Sequence, residues 1–78
     1  MHVVIAKVDE VLFDGEAYSL TVPGAEGEMT ILSGHEPLVT TLKTGEARIK
    51  ESAASEPILI PIQNGVLEVN AEGATVIL

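Results

Sequence analysis

The sequence has no cysteine and no tryptophan, a single tyrosine, a single phenylalanine and only four basic side chains in 78 residues. Without cysteine there are no disulfide staples, no thiolate metal ligands and no cysteine nucleophile, a composition that fits an intracellular protein. Four Lys and Arg against twelve Asp and Glu leave a formal charge of −8, and the cations form no cluster. Such a chain lacks the electrostatic footprint a phosphate backbone demands, which excludes nucleic-acid binding, and an anionic membrane surface repels it. Long apolar runs are missing too. The longest, Ile58 to Ile62, contains Pro61 and falls far short of the roughly 20 residues that insert into a bilayer as a helix. Lys7, Asp9 and Glu10 interrupt the N-terminal stretch where a signal peptide carries its apolar segment.

What is present is 46% hydrophobic residue, chiefly Val, Ile, Leu and Ala. A chain this short buries only roughly 60–65% of its unfolded surface, so its apolar content is committed to one core over residues 1–78, with little left for an elaborate active site. A globule of this length has an expected radius of gyration of about 11–12 Å.

Apolar residues recur at spacing two or in short runs, with Gly, Pro and Asn between them, which predicts strands rather than helices. His2 to Val8 is apolar on both faces and reads as a central strand. Val11-Leu12-Phe13 runs into Asp14-Gly15, a dipeptide suited to a hairpin turn. Glu16 to Val22 alternates, which places Tyr18, Leu20 and Val22 in the core until Pro23-Gly24 stops the strand. From Pro23 to Pro37 the chain is loop-rich with a short strand at Met29 to Leu32. Leu38 to Leu42, Glu46 to Glu51, Pro57 to Ile62, Gly65 to Val69 and Ala74 to Leu78 complete the set, with turns at Lys43-Thr44-Gly45 and Asn70 to Gly73 and an exposed loop from Glu51 to Glu56. The expected architecture is an all-β two-sheet sandwich or flattened barrel of about eight to ten short strands. Pro57, Pro61, Arg48 and Lys50 are of the types that blunt strand edges.

Few residues offer chemistry. His35, between Gly34 and Glu36, has the reach for acid/base or metal work with the nearby glutamates. Against this, the only other histidine is His2, and a loop histidine commonly bonds locally or touches a partner. Ser19, Ser33, Ser52 and Ser55 lack a nucleophile-elbow setting. Gly24, Gly27 and Gly34 are not followed by the Gly-Lys-Ser/Thr step and helix of a phosphate loop, so they read as turn residues. Lys43 near a hairpin raises the alternative of a lipoyl or biotinyl carrier, but its Leu42-Lys43-Thr44 flanks differ from those of such carriers.

The run Val22-Pro23-Gly24-Ala25-Glu26-Gly27-Glu28-Met29-Thr30-Ile31-Leu32-Ser33-Gly34-His35-Glu36-Pro37-Leu38 resembles the V-P-G-x-E-G-x-x-G-I-L-P-G-H-x-P-L segment of the epsilon subunit of F-type ATP synthases, in its N-terminal β-sandwich domain. Leu12-Phe13-Asp14-Gly15, Leu42-Lys43-Thr44-Gly45, Asn64-Gly65-Val66-Leu67-Glu68-Val69 and Ala74-Thr75-Val76-Ile77-Leu78 are similar to further family stretches, in order along nearly the whole chain. The resemblance implies a non-catalytic rotor component without cofactor, metal or catalytic residues, peripheral at the cytoplasmic face of a bacterial plasma membrane and not inserted in it. Its implied partners are the gamma subunit and the membrane ring of c subunits, through which ion flow is coupled to ATP synthesis. The implied ring contact is Glu26, Gly27, Glu28, Met29, Thr30, Ser33, Gly34 and His35, with Glu28 and His35 as its most exposed polar groups; the implied gamma contact is Val39, Thr40 and Thr41. The family's C-terminal helical hairpin, which can inhibit ATP hydrolysis and in some bacteria binds ATP, has no counterpart in these residues, so the resemblance is to the N-terminal domain alone, whether of a naturally short form or of a trimmed one. Thr30 and Ser33 stand where the family usually has Gly and Pro. A β-branched Thr resists positive φ, which predicts a local backbone unlike the family's.

Overall fold

A computed structural model describes residues 1–78 as nine strands and no helix: β1 His2–Lys7, β2 Glu10–Glu16, β3 Ser19–Gly24, β4 Gly27–Leu32, β5 Leu38–Leu42, β6 Gly45–Lys50, β7 Ile58–Ile62, β8 Gly65–Asn70 and β9 Gly73–Ile77. They join in the order β2-β1-β9-β8-β5-β3-β6-β7, with β4 on the other side of β3. The continuity between β5 and β3 is slender, a single residue pair, Gly24↔Leu42. Two hydrogen bonds flank it: Ala25 N–H donates to the Thr41 carbonyl at 3.0 Å and Lys43 N–H to the Pro23 carbonyl at 2.9 Å. That corner divides the molecule into a five-stranded sheet, β2-β1-β9-β8-β5, and a four-stranded sheet, β4-β3-β6-β7, as a sandwich requires.

The alternation of each strand puts one face inward. Val3, Ile5, Leu67, Val69, Ala74 and Val76 from the first sheet meet Leu20, Val22, Ile31, Ala47, Ile49 and Ile62 from the second in a core of aliphatic side chains. Phe13 and Met29 pack against it half-buried. The radius of gyration is 11.1 Å, matching the value expected from length. β1 is central, as its sequence predicts, between antiparallel β2 and parallel β9. The parallel pair seats Gly73 opposite His2, and a Cβ there would overlap the His2 carbonyl.

Several expectations are corrected. Asp14-Gly15 is not a turn: β2 runs through both residues, which pair with Val4 and Val3. The reversal instead lies at Val8-Asp9, and a bulge at Leu12 shifts the register between Ile5 and Ala6. Tyr18 is 50% exposed, because the strand breaks at Ala17-Tyr18 and inward alternation restarts at Leu20; Ala17 takes the buried place. Pro23-Gly24 does not end β3, which pairs through both residues up to a two-residue turn at Ala25-Glu26. β4 is accordingly longer than Met29 to Leu32. The predicted blunting residue Pro61 does lie on an edge strand, β7, whereas Arg48 and Lys50 lie on β6, which has neighbours on both sides. Thr30 keeps an ordinary strand backbone, since no residue other than glycine has positive φ. Its hydroxyl meets that of Thr21 across the ladder at 3.0 Å.

Candidate docking surface

The ten-residue segment from Glu26 to His35 is not one loop. β4 separates its ends by six residues, a span of roughly 17–20 Å. At one end the β3–β4 tip carries Glu26 and Gly27, the latter at φ 139°, where the turn favours glycine. Glu28 follows on the outer face, exposed, its carboxylate 2.9 Å from the Arg48 guanidinium. At the other end Ser33 and Gly34, with Gly34 at φ 87°, lead into His35. The His35 ring is half-buried rather than fully exposed, with Nδ1 2.8 Å from the Glu36 carbonyl, so this nitrogen is the donor. No group of three or more His, Asp and Glu able to hold a metal forms around it. Glu28 and His35 are therefore not neighbours.

The structure brings together a different set. Glu26, Gly27, Glu28 and Met29 at the tip share a shallow groove with Leu38, Val39 and Thr40 of β5. Residues expected at the ring and residues expected at gamma thus line one opening, where the edges of the two sheets face each other. Met29 and Leu38 are half-buried in it, and Val39 is 71% exposed.

Val39 also borders a surface the sequence reading did not single out. On the outer face of the five-stranded sheet, the registers align Thr41, Val66, Ile77, Ala6 and Val11 in one row across five strands. Val66, Ile77 and Val11 are exposed. The next row holds Val39, Glu68, Thr75, Val4 and Asp14, and the third ends in His2 and Glu16. The face thus grades from apolar to charged. The outer face of the other sheet presents Thr21, Thr30, Arg48 and Lys50, with Leu32 and Leu59 exposed at its two edges. Contiguous exposed aliphatic side chains of this kind mark contact surfaces. The signal was available in the outward positions of Val66 and Ile77, but it requires the order of the strands, which alternation does not reveal.

At the charged end, His2 Nε2 lies 2.7 Å from an Asp14 oxygen and Nδ1 3.3 Å from a Glu16 oxygen. Hydrogen bonds to Glu16 and then to Asp14 raise the His2 pKa above 6.5.

Residues 1–78 match the family model described as "ATP synthase, Delta/Epsilon chain, beta-sandwich domain". The chain is 39% identical over 77 residues to an ATP synthase epsilon chain of Herminiimonas arsenicoxydans, covering 99% of itself and 55% of that protein. It is 34% identical to the epsilon chain of Caulobacter vibrioides, covering 87% of it. The chain thus spans about half the length of most of the curated relatives it matches. A chain in the cryo-EM structure of the Euglena gracilis mitochondrial ATP synthase superposes with a TM-score of 0.85 at 26% identity, over 96% of this chain and 48% of that one. A chain of the central stalk and c-ring of the Tetrahymena thermophila enzyme shares the fold, with a TM-score of 0.79 at 16% identity over 99% of this chain and 61% of that one.

Proposed function

The chain belongs to the β-sandwich family of ATP synthase delta and epsilon chains, and from that premise we propose that it is a non-catalytic part of the rotor, linking the gamma subunit to the ring of c subunits so that ion flow drives ATP synthesis. The observation that carries the reading is the family match over all 78 residues. In the same reading the chain sits peripherally at the cytoplasmic face of a bacterial membrane, within the synthase.

Within this reading, the β3–β4 tip with Glu26, Gly27, Glu28 and Met29 faces the ring, and Val39, Thr40 and Thr41 meet gamma. The apolar row behind Val39 supports the gamma assignment, because an interface that stays closed under torque needs an apolar centre and more than ~1,200 Å² of buried surface. Ser33, Gly34 and His35, at the far end of β4, lie outside a contact centred on the tip. The test is reconstitution. Added to a synthase depleted of its epsilon chain, the 78-residue polypeptide restores ion-coupled ATP synthesis, and Thr40→Arg reduces its binding to purified gamma. Full gamma affinity for Thr40→Arg moves the interface elsewhere, and no recovery of coupling by the unaltered chain removes the rotor reading.

A further inference from the structure

A sandwich whose sheets do not close has strand edges, and unprotected edges pair with other chains. Three of the four here carry a blocking device. β7 contains Pro61 and is preceded by Pro57, β2 has its bulge together with Glu10, Asp14 and Glu16, and β4 has the charged Glu28. β5 has Pro37 directly before it, as β7 has Pro57, but no proline, bulge or charge within Leu38–Leu42.

The geometry of β5 shows which groups are free. It pairs with β8 along all five residues but with β3 only at Gly24↔Leu42. Because the Thr41 carbonyl accepts the Ala25 N–H, Thr41 turns its backbone groups away from β8, and antiparallel alternation makes Val39 do the same. No ladder meets Val39 on that side. Its N–H and C=O, with the Thr41 N–H, therefore face outward as a donor–acceptor–donor set beside the groove. The chemistry that complements such a set is another extended backbone. The surroundings are acidic: Glu26 and Glu28 line the groove with Val39, Glu36 precedes the strand, and Glu68 is the cross-strand partner of Val39. The nearby Arg48 is already engaged with Glu28.

We propose that an extended segment of gamma carrying Lys or Arg adds to β5 as a further strand of the five-stranded sheet, hydrogen-bonding to Val39 and Thr41. The proposal rests on the reading that gamma docks at β5, and it specifies the mode of docking and the chemistry of the segment. Val39→Pro removes the outward N–H without breaking a ladder bond, as Pro61 does on β7, whereas Val39→Ala keeps the N–H and shortens only the side chain. With purified gamma as the probe, Val39→Pro binds about tenfold more weakly than Val39→Ala, the worth of one interfacial hydrogen bond. Amide exchange gives an independent measure on the unaltered chain. Val39 and Thr41 exchange fast when it is free, Thr40 and Leu42 slowly, and gamma slows the first two by at least about tenfold. Binding that leaves the Val39 and Thr41 amides unprotected overturns strand addition while leaving gamma docking in place. Failure of gamma to bind overturns both. Protection that grows with the concentration of the chain alone assigns the edge to a second copy and overturns the proposal.

Discussion

Gly73 is where backbone geometry leaves no choice of side chain. Its Cα lies against the His2 main chain in the parallel β1–β9 pair, so any Cβ forces those strands apart. Gly73→Ala is expected to lower stability by more than about 2 kcal/mol, read as a shift in the urea midpoint at unchanged slope. Its neighbour His2 lies within reach of two carboxylates. Glu16 and Asp14 favour the imidazolium, which raises the folded pKa above 6.5. The linked stability is therefore fully present below 6.5 and is lost as pH rises through the raised folded value. An NMR titration of His2 is expected to give a midpoint above 6.5 that returns toward it in the Glu16→Gln, Asp14→Asn double variant. A midpoint in that variant equal to the unaltered chain's shows that the carboxylates are not the cause.

Among the elements, the β3–β4 hairpin has one face in the core and the other in the candidate ring contact. Ile31 is completely buried, and Ile31→Ala costs about 2–5 kcal/mol. Glu28 on the opposite face is exposed and paired only with Arg48, so Glu28→Lys changes stability by less than about 1 kcal/mol. If the tip contacts the ring as proposed, the same change is expected to weaken coupling in the assembled enzyme; unchanged coupling takes Glu28 out of the contact. The sequence reads this hairpin only in part, and the reason is local. Strand existence was legible wherever alternation continued to a turn, as in Leu38–Leu42, which the structure reproduces residue for residue. Turns were misjudged where Gly or Pro sits inside a ladder. Asp14-Gly15 remains extended because both residues pair with Val4 and Val3 in the β1–β2 ladder, and Pro23 is tolerated because the side lacking N–H faces β5, where only its carbonyl is used. The groove joining Glu26–Met29 to Leu38–Thr40 was not legible at all. It depends on the corner at Gly24↔Leu42, a single pair between residues far apart in the chain.

At the scale of the whole molecule, the net charge of −8 and the uneven outer faces act together. For the proposed docking of a basic gamma segment, long-range attraction to the acidic body sets the rate of encounter and the apolar row the lifetime of the complex. Raising salt from about 0.05 to 0.5 M, which shortens the screening length severalfold, is expected to slow association with gamma while leaving dissociation nearly unchanged; stopped-flow measurement separates the two. Far-UV circular dichroism of the chain alone gives a β spectrum, and a helical one contradicts the fold.

The parallel pairing of β1 with β9 also governs how the protein comes into being. In chain order His2–Lys7 is followed directly by its partner β2, whereas its other edge waits until Gly73–Ile77 has been made. Until then Val3 and Ile5, completely buried in the folded domain, have only the β1–β2 ribbon, which is too small to be stable alone. The first sheet therefore closes only once β9 is available, a long-range pairing that leaves the apolar side chains of the hairpin exposed to other chains in the interval.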